Sequence, residues 1–595
     1  MTENESIQKK KITLSDLKLL FSLWPYIRPY LLWLLLSILI LFFATGVDLL
    51  IPYLTKIAID SFIVGNKPAM FLSLPIQSFF ELGIVFIIVL ILFFLTDSFQ
   101  SILMERTGQK IILNLRTSMF RHMVHLPVSF FDTNSSGRLV SRVANDIENM
   151  NEMFSSMLIF IFKDIVIMTF VVVILFSMDI KLAFMTSLVV PVVIFSIIFF
   201  SKISRKAFRE IRSKIAEINH TFSETIAGIN IIQTMADKNH VISRFKKLNY
   251  ENFKAGIFQI KIFGIFMPFV EFLNILSLAI IISYGGMRVF EKDITIGLLI
   301  AFISYMKMFF RPIRDLSEKF NLLQNALASS ERIISILKIE ESNENDFSKQ
   351  KIDKIYSLEF KNVFFAYNKP EYILRDISFS VNRGETIGIA GHTGAGKSSI
   401  INLLSGFYQN QTGKILINKR DYKDYSSKDL RKKISVVMQD PILFSGTIRE
   451  NIVPPDFKIS DEKIKEILLK ANCNFIFKHE EGLDFILAEN GNPLSSGEKQ
   501  LLCIARAFIF DPDLIVFDEA TSYVDSQSEY IVHETMQKLM KEKTSILIAH
   551  RLSTLAHADR IIVLKYGQII ESGTNQELLN QKGEFYKLKM LETKL

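Results

Sequence analysis

The sequence predicts an all-α membrane domain of six helices, followed by an α/β domain of the P-loop NTPase class. Long apolar segments fill the first half of the chain, the second half is polar, and a glycine-rich loop there lies between a buried strand and a helix. The 595 residues are too many for one compact core. A mean hydropathy of +0.28 is high for a water-soluble protein.

The membrane domain is predicted from the apolar segments. A helix needs about 20 apolar residues to cross the hydrocarbon core of a bilayer. Six stretches come near this length: Leu31–Leu50, Leu82–Leu95 with its flanks, Met157–Phe176, Leu182–Phe200, Ile262–Ile282 and Ile296–Phe310. The chain is therefore expected to be multi-pass.

The connections between the spans indicate the orientation. The second and third spans, and the fourth and fifth, are joined by long segments rich in Lys and Arg, whereas Met178–Lys181 barely separates the third span from the fourth. Positive charge favours the cytoplasmic side, so both long connections, and the basic N-terminal segment, are expected in the cytosol. Apolar residues at helical spacing in 203–245 predict that the second connection is a helical extension.

The net charge of +8 permits two interpretations. Nucleic-acid binding is one, but no basic motif interleaved with aromatic residues is present. Basic flanks of membrane helices explain the charge better, and no nucleic-acid partner is expected. Cys473 and Cys503 both fall in the polar half and read as reduced cytosolic thiols.

Charged residues inside the spans leave two interpretations open. Asp48, Asp164 and Glu271 stand within predicted spans, and Asp97 and Lys307 lie nearer the ends. A charge in the bilayer is costly and marks a functional candidate, here for a cationic or zwitterionic cargo. The alternative is a structural role, facing a watery cavity or pairing with a neighbour such as Lys163.

The glycine-rich loop has the spacing and context of a phosphate-binding P-loop. It follows the predicted strand Glu385–Ala390 and precedes the helical segment Ser399–Leu404. Its backbone N–H groups are expected to cradle the phosphates of ATP. The residues expected at the phosphates are Gly391, His392, Thr393, Gly394, Ala395, Gly396, Lys397, Ser398 and Ser399. Among them, Lys397 would reach the β- and γ-phosphates and Ser398 would bind Mg²⁺.

A second motif delivers acids to the end of another buried strand. Leu514–Phe517 is followed directly by Asp518 and Glu519, which is the Walker B pattern. Asp518 would hold Mg²⁺, and Glu519 would polarise the attacking water. An Asp-Glu pair alone is usually a solvated turn, but after four apolar residues and downstream of a P-loop it is a specific signal.

Between these motifs lies Leu494–Gln500, Leu-Ser-Ser-Gly-Glu-Lys-Gln, which resembles the ATP-binding cassette (ABC) signature Leu-Ser-Gly-Gly-Gln. The resemblance covers nearly the whole chain. The membrane half is similar to the six-span half of an ABC exporter. Leu126–Asp132 is similar to the first cytoplasmic connection of such exporters, which carries a coupling helix that docks on the nucleotide domain.

The resemblance implies roles for four further residues. Tyr367 stands where the family stacks an aromatic ring on adenine, and Gln439 matches the Q-loop glutamine that contacts Mg²⁺. Asp525 matches the D-loop. His550 matches the switch histidine, which the family directs at the γ-phosphate, beside Glu519 as the second catalytic candidate.

The signature departs from the family pattern. In this family the signature of one chain closes over ATP on the P-loop of the other and would present Ser495, Ser496, Gly497 and Glu498 to that nucleotide. Ser496 adds a Cβ where a glycine lets the backbone approach closely, and Glu498 replaces an amide by a carboxylate. An altered signature beside an intact P-loop and Walker B motif favours one partner of a heterodimer, whose other chain carries a degenerate Walker B motif. A homodimer that tolerates Ser496 is the alternative.

The resemblance implies an exporter half-transporter of the bacterial cytoplasmic membrane, with its ATP-binding domain in the cytosol. Its expected partners are a second half-transporter, the lipid bilayer and a small amphipathic cargo. An importer or an ATP-gated channel or regulator on the same fold is the alternative, and a soluble ATPase with an accessory membrane anchor is a second. The expected organisation is a cytoplasmic segment 1–25, a membrane domain 26–325, a linker 326–355 and an ATP-binding domain 356–595.

Overall fold

The computed structural model describes residues 22–65, 68–71, 74–154, 158–235, 238–342, 350–368, 370–454, 457–518, 526–549 and 552–592. By its internal contacts the chain forms two units. The helical unit comprises Met1–Val124 and Ser136–Glu340. The α/β unit comprises Glu341–Leu595 together with the short segment His125–Ser135, which the chain inserts from between two parts of the helical unit.

Long helices dominate the helical unit. Together with α4 of the inserted segment they are α1 Trp24–Ile27, α2 Leu31–Ile57, α3 Phe79–Val124, α4 Val128–Thr133, α5 Ser136–Ser141, α6 Ile147–Glu152, α7 Leu158–Met178, α8 Ile180–Ser187, α9 Val189–Ala227, α10 Ile229–Met235, α11 Lys238–Ile280, α12 Gly286–Phe290 and α13 Ile296–Leu337. Single 3₁₀ or π turns join several of them, at Arg28–Tyr30, Ala58–Val64, Arg142–Asp146 and Ile281–Gly285. A two-stranded hairpin, β1 Ala69–Phe71 and β2 Leu74–Ile76, follows the first long helix.

Among the described residues, five helical segments are long and apolar enough to cross a membrane: Trp24–Val64, Phe79–Val124, Ile180–Ala227, Lys238–Phe290 and Ile296–Ile313. The remaining predicted span, Met157–Phe176, overlaps the apolar helix α7 from Leu158 onward, and Met157 lies outside the described residues. In the most apolar stretch of α3 only 11 % of the residues are buried in the protein. Such a surface is unstable in water, and hydrocarbon is the solvent that suits it. The all-α membrane domain predicted from the sequence is therefore present.

Several helices are much longer than a bilayer requires. The 46 residues of α3 extend for about 69 Å at 1.5 Å per residue, whereas the hydrocarbon core is about 30 Å thick. The helical extension predicted for residues 203–245 is confirmed in α9, α10 and the start of α11, with a break at Gly228 where α9 ends. These helices carry the two long connections that the sequence predicts.

The last helix of the helical unit continues beyond the boundary that the sequence places at residue 325. α13 ends only at Leu337, so the first part of the predicted linker 326–355 is helical. Ala326, Ile333 and Ile336 are buried along this extension, at spacings of seven and three residues that place them on one helix face. Their burial against the unit explains why a polar stretch stays helical.

One predicted pairing between charges in the spans is present in the structure. The Lys163 Nζ on α7 lies 2.7 Å from Asp97 Oδ1 on α3, and both side chains are partly exposed. Glu271 accepts a hydrogen bond from Asn274 one turn further along α11, at 3.1 Å. At Arg288, the guanidinium lies 2.7 Å from the Asp179 carboxylate at the start of α8. Each of these charges thus has a polar partner inside the protein.

A buried carboxylate fastens the start of α6 to α13. Asp146 accepts hydrogen bonds from two nitrogens of the Arg332 guanidinium, Nε at 2.8 Å and the terminal Nη2. It also accepts one from the Ser329 hydroxyl at 3.0 Å. Asn149 in turn donates to Ser329 at 2.9 Å. The bond to Asp146 raises the pKa of Arg332 above its already high ordinary value, so the guanidinium stays charged at every physiological pH.

The α/β unit contains two sheets. Its strands are β3 Ser357–Phe365, β4 Leu374–Asn382, β5 Thr386–Gly391, β6 Thr412–Ile417, β7 Arg420–Asp421, β8 Ile434–Val437, β9 Gly446–Thr447, β10 Ile486–Leu487, β11 Leu514–Asp518, β12 Thr544–Ile548, β13 Arg560–Lys565 and β14 Gln568–Gly573. Six strands form a sheet in the order β14-β13-β5-β12-β11-β8, and four form an antiparallel sheet in the order β4-β3-β6-β7. The short strands β9 and β10 pair separately.

The six-stranded sheet is parallel from β13 to β8, and only β14 is antiparallel. Its central strands are almost fully buried, as expected for a parallel sheet covered on both faces. The helices of the unit are α14 Lys397–Leu404, α15 Ser427–Lys433, α16 Ile448–Ile452, α17 Asp461–Lys470, α18 Ser496–Phe510, α19 Ser526–Glu542, α20 Asn575–Gln581 and α21 Glu584–Glu592. The predicted α/β class of the second domain is confirmed.

Replacing Asp146 by Asn should destabilise the helical unit. Asp146→Asn keeps the side-chain volume but removes the counterion of a partly buried guanidinium, which costs about 2 kcal/mol. We expect the midpoint of thermal unfolding of the detergent-solubilised protein to fall by several degrees.

Glu148→Gln is the matched control for this measurement. Glu148 pairs with Arg116 at 3.3 Å, but both side chains are about half exposed, and such surface pairs contribute about 0–1 kcal/mol. Equal shifts for the two variants would contradict the assigned role of Asp146.

Candidate nucleotide-binding site

The P-loop connects β5 to α14, as the sequence predicts. Gly391, Gly394 and Gly396 have φ angles of 152°, 82° and 104°, all in the region that favours glycine. A Cβ at Gly396 would lie 2.6 Å from the Leu374 Cδ2 atom, and one at Gly391 would collide with the Leu564 carbonyl. Conformation favours glycine at all three positions, and close packing also requires it at Gly391 and Gly396.

The Lys397 side chain folds back into the P-loop. It is buried, and its ammonium donates to the carbonyls of Gly391 at 2.6 Å and His392 at 3.2 Å. Ser398, the next residue, is exposed at the first turn of α14, whereas Ser399 is buried. A cation held inside the loop at a helix N-terminus is suited to phosphate.

His392 also has an acidic neighbour outside the loop. Its Nε2 lies 3.7 Å from Glu584 Oε1 at the start of α21, and Lys565 Nζ lies 2.8 Å from the same carboxylate. The hydrogen bond from Lys565 holds the pKa of Glu584 below its ordinary value. The last helix of the unit is thereby positioned beside the P-loop.

The register of the parallel strands brings the other predicted residues to the edge that carries the P-loop. Asp518 pairs with Ile548 on β12, and Ile548 pairs with Ile389 on β5, two residues before the loop. Val437, two residues before Gln439, pairs with Phe517. The carboxyl ends of four neighbouring parallel strands thus deliver the P-loop, the position before His550, Asp518 and Gln439 to one edge, where ligands bind in open α/β sheets.

Three predicted residues lie outside the described residues. They are Glu519, His550 and the D-loop residue Asp525. Asp518 is the last residue of β11, so the chain enters Glu519 directly from the edge described above. The β12 strand likewise ends at Ile548, two residues before His550.

The oxygen ligands at this edge fit Mg²⁺. A hydroxyl, a carboxylate and an amide oxygen, from Ser398, Asp518 and Gln439, are the hard donors that this ion takes in nucleotide sites, where phosphates and water supply the rest. Within the described part of the chain, no group of three or more His, Cys, Asp and Glu side chains could hold a metal by itself. The donor set therefore suits a cation that arrives with a nucleotide.

Tyr367 is placed as an aromatic platform next to the P-loop helix. Its side chain is 39 % exposed, and its hydroxyl accepts a hydrogen bond from Asn402 Nδ2 at 2.7 Å. The ring packs edge-on against Phe365 and Tyr408, each with a centroid distance of 4.8 Å. Two edge contacts fix the ring and leave part of its surface accessible to a base.

A glutamine holds the backbone just before Tyr367. The Gln411 side chain accepts from the Ala366 N–H and donates to the Ala366 carbonyl, both at 2.8 Å. It satisfies both backbone polar groups of one residue, in the manner of a neighbouring strand. Gln411 thus sets the direction in which the chain enters Tyr367.

Comparison with known proteins decides the family. Models of the ABC transporter transmembrane region and of the ABC transporter match residues 34–313 and 374–522. A putative multidrug export ATP-binding/permease protein of Bacillus subtilis is 32 % identical over 94 % of this chain and 97 % of its own. An ATP-dependent lipid A-core flippase of Syntrophus aciditrophicus is 32 % identical over 91 % of this chain and 89 % of its own. A fatty acid ABC transporter ATP-binding/permease protein of Mycobacterium bovis is 34 % identical over 82 % of this chain and 78 % of its own.

The chain is an ABC transporter. It is a multi-pass membrane protein of the exporter type, with one transmembrane region fused to one ATP-binding domain, and it hydrolyses ATP to drive export. That architecture is half of a working ABC transporter, so a second ABC chain completes the assembly. The resemblance drawn from the motifs is confirmed at the level of family, fold and ATP-driven export.

The signature of this ABC chain closes on itself through a capping box at the N-terminus of α18. The Glu498 carboxylate accepts from the Ser495 N–H and from the Ser495 hydroxyl, each at 2.8 Å, and the Glu498 N–H donates to the Ser495 Oγ at 3.3 Å. Ser495 and Ser496 are exposed, while Gly497 is buried. The hydroxyl that the family directs to a phosphate is here already bonded to a carboxylate.

The helix behind the signature also reaches the Q-loop. The buried Gln500 side chain donates to the Met438 carbonyl at 3.2 Å, one residue before Gln439. α18 therefore positions the signature and the backbone of the Q-loop together.

The sequence alone identified the motif residues, but it did not identify the residues that hold them in place. Gln411, Asn402, Tyr408 and Gln500 carry no spacing or composition that singles them out. The Ser495–Glu498 pair did carry a signal, since Ser-x-x-Glu before an apolar helix is the capping-box pattern. That pattern predicts where the Glu498 carboxylate lies, whereas the expectation from the ABC resemblance placed it at the phosphate surface.

Removing the Gln411 side chain should weaken ATP binding. Gln411→Ala deletes both hydrogen bonds to Ala366 and frees the segment that carries Tyr367, so we expect the Kd for ATP to rise about 5- to 10-fold, or about 1–1.4 kcal/mol. The measurement is titration with a fluorescent ATP analogue and competition by ATP. Gln409→Ala, at an exposed neighbouring position, is the control; an unchanged Kd in Gln411→Ala would refute the positioning of Tyr367 by Gln411.

Proposed function

We propose that this transporter exports an amphipathic small molecule or lipid across the bacterial cytoplasmic membrane, paired with a different half-transporter whose Walker B motif is degenerate. The observation that carries the pairing is the contrast between the two halves of its ATP chemistry. The P-loop and Walker B residues match the family pattern, while the signature is altered at Ser496 and bonded to itself through Glu498. On this proposal the ATP-binding domain lies in the cytosol.

The names of relatives support an amphipathic cargo. They include a putative multidrug exporter, a lipid A-core flippase and a fatty acid transporter. The two lipid cargoes in these names each combine an apolar part and a polar part. The helical unit suits such a cargo, because charged groups of both signs, Asp97 and Lys163 among them, stand within otherwise apolar helices and remain partly exposed. A cargo with a polar head and an apolar body would find a partner for each.

The residues at the carboxyl edge divide the ATP chemistry among them. On the proposal, Tyr367 stacks on adenine, the loop residues and Lys397 hold the phosphates, and Ser398, Gln439 and Asp518 hold Mg²⁺, which neutralises charge on the phosphate oxygens. Glu519 orients and polarises the attacking water. His550 contacts the γ-phosphate, and Asp525 belongs to the interface with the partner chain.

The capping box gives a physical reason for asymmetry between the two ATP sites. A signature that binds phosphate needs the free N-terminus of its helix and the serine hydroxyl. Here the Glu498 carboxylate already accepts hydrogen bonds from the N–H and the hydroxyl of Ser495, the cap residue of that helix, and a carboxylate is negatively charged like the phosphate. ATP on the partner's P-loop would meet a poor signature, and ATP on this chain's P-loop would be closed over by the partner's regular one.

Replacing Glu519 by Gln should stop turnover without stopping ATP binding. The amide keeps the shape of the side chain but cannot act as the base, so ATP hydrolysis should fall by about 10²-fold or more while the Kd for ATP changes less than about 2-fold. In proteoliposomes, ATP-dependent movement of Hoechst 33342 and of a fluorescently labelled phospholipid should stop as well.

Asp518→Asn is a useful comparison, because it should weaken the dependence on Mg²⁺ as well as turnover. Normal hydrolysis by Glu519→Gln would refute the role of Glu519. ATP-gated ion current without stoichiometric hydrolysis would instead favour the channel alternative, and inward movement of the probes would favour an importer.

The mass of the assembly tests the pairing. When a tagged copy of this chain is expressed with its chromosomal neighbours and purified in mild detergent, native mass spectrometry should show one 68.4 kDa chain together with one chain of a second half-transporter. A species of twice 68.4 kDa that hydrolyses ATP at full rate would instead establish the homodimer.

A further inference from the structure

A tyrosine of the α/β unit bonds a short helix of the first long connection. The chain leaves the helical unit after Val124, and the segment His125–Ser135, which contains α4, belongs by its contacts to the α/β unit. There the Tyr408 hydroxyl donates a hydrogen bond to the Asp132 carboxylate of α4. The Ser342 N–H and hydroxyl both donate to the His125 carbonyl at 2.9 Å, which fastens the start of the segment.

Tyr408 lies directly beside the predicted adenine platform. Its ring meets Tyr367 edge-on, with centroids 4.8 Å apart and planes at 88°, and meets Phe365 at 5.8 Å. Its backbone follows α14 closely, since the N–H groups of Phe407 and Tyr408 both point to the Asn402 carbonyl. Asn402 also donates to the Tyr367 hydroxyl at 2.7 Å.

The hydroxyl of Tyr408 is held in its donor form. Burial and the hydrogen bond to Asp132 both raise the pKa of Tyr408 above its ordinary value, so the phenol stays protonated over the physiological range. A hydrogen bond from a neutral hydroxyl to a carboxylate is among the stronger ones in proteins. The contact is therefore a directional link and not only an apolar one.

We propose that Tyr408 is the positioning residue through which nucleotide binding at Tyr367 controls the docking of α4. Stacking of adenine on Tyr367 would fix that ring, the perpendicular contact would fix Tyr408, and Tyr408 would then hold Asp132. The inference rests on the proposed role of Tyr367 in binding adenine, and it adds a specific route from the base of ATP to the cytoplasmic connection.

Two variants of Tyr408 separate its two contacts. Tyr408→Phe keeps the ring against Tyr367 but removes the donor to Asp132, so the Kd for ATP should stay within about 2-fold of the wild type. Tyr408→Ala removes both contacts and should also raise the Kd several-fold. Tyr425→Phe is the matched control, because its buried hydroxyl donates within the same unit to the Ile417 carbonyl at 3.3 Å.

The decisive readout is the change that ATP causes in hydrogen exchange of α4, measured by mass spectrometry on the assembled transporter in nanodiscs. In the wild type, ATP should slow exchange of the amides in Val128–Thr133, and in Tyr408→Phe this slowing should be lost by more than half. A purely structural role would raise exchange equally with and without ATP and leave the difference intact. Asp132→Ala should give the same loss, and adding Tyr408→Phe to it should change nothing further.

A second readout reaches the helical unit. The two tryptophans of the chain, Trp24 and Trp33, both lie in the helical unit. The change in tryptophan emission that ATP causes therefore reports on this unit, and it can be compared between the wild type and the variant. Tyr408→Phe should reduce that change. The inference would be overturned if ATP did not slow hydrogen exchange of α4 in the wild type, or if Tyr408→Phe left that slowing unchanged. An unchanged ATP affinity in Tyr367→Ala would instead refute the adenine-binding role of Tyr367, on which the inference rests.

Discussion

The ATP site depends on one constraint, the shared register of the parallel strands β5, β12, β11 and β8. Residues of β5, β12 and β11 align in one row, Ile389 with Ile548 and Ile548 with Asp518, and β8 joins through Val437 and Phe517. A one-residue slip of any of these strands would turn its side chains to the opposite face of the sheet. The P-loop, the Walker B acid and the Q-loop remain within reach of one nucleotide only while this register holds.

The sheet interior enforces the register. Ile515, Val516 and Phe517 on β11 and Ile546 to Ile548 on β12 are essentially inaccessible to water. The two faces of the sheet contribute to two separate apolar clusters, so a slipped strand would fit neither. Apolar packing thus supplies the rigidity. The described polar residues of the site stand at the ends of the strands or just beyond them, where they can bind charge without being buried unpaired.

The fold and the motif residues could be predicted because their signals are local. Glycines at fixed spacing between a strand and a helix, an acid after four apolar residues, and apolar runs near the length of a bilayer each lie within one short window of sequence. Helix α13 ran past the predicted boundary because its apolar positions, such as Ile333, pack against distant parts of the helical unit. The hydrogen bonds between Gln411 and Ala366 join residues 45 positions apart, and the bond from Tyr408 to Asp132 joins residues 276 positions apart. No local sequence pattern predicts contacts of that range.

On the proposed function, ATP is hydrolysed at one of two unequal sites, and trapping a nucleotide during turnover tests this most directly. The assembled transporter is incubated with radiolabelled 8-azido-ATP, Mg²⁺ and vanadate, irradiated, and its two chains are separated. Because this chain supplies the intact P-loop and Glu519 and the partner supplies the regular signature, we expect vanadate-dependent labelling of this chain alone. Equal labelling of both chains, or labelling of the partner alone, would contradict it.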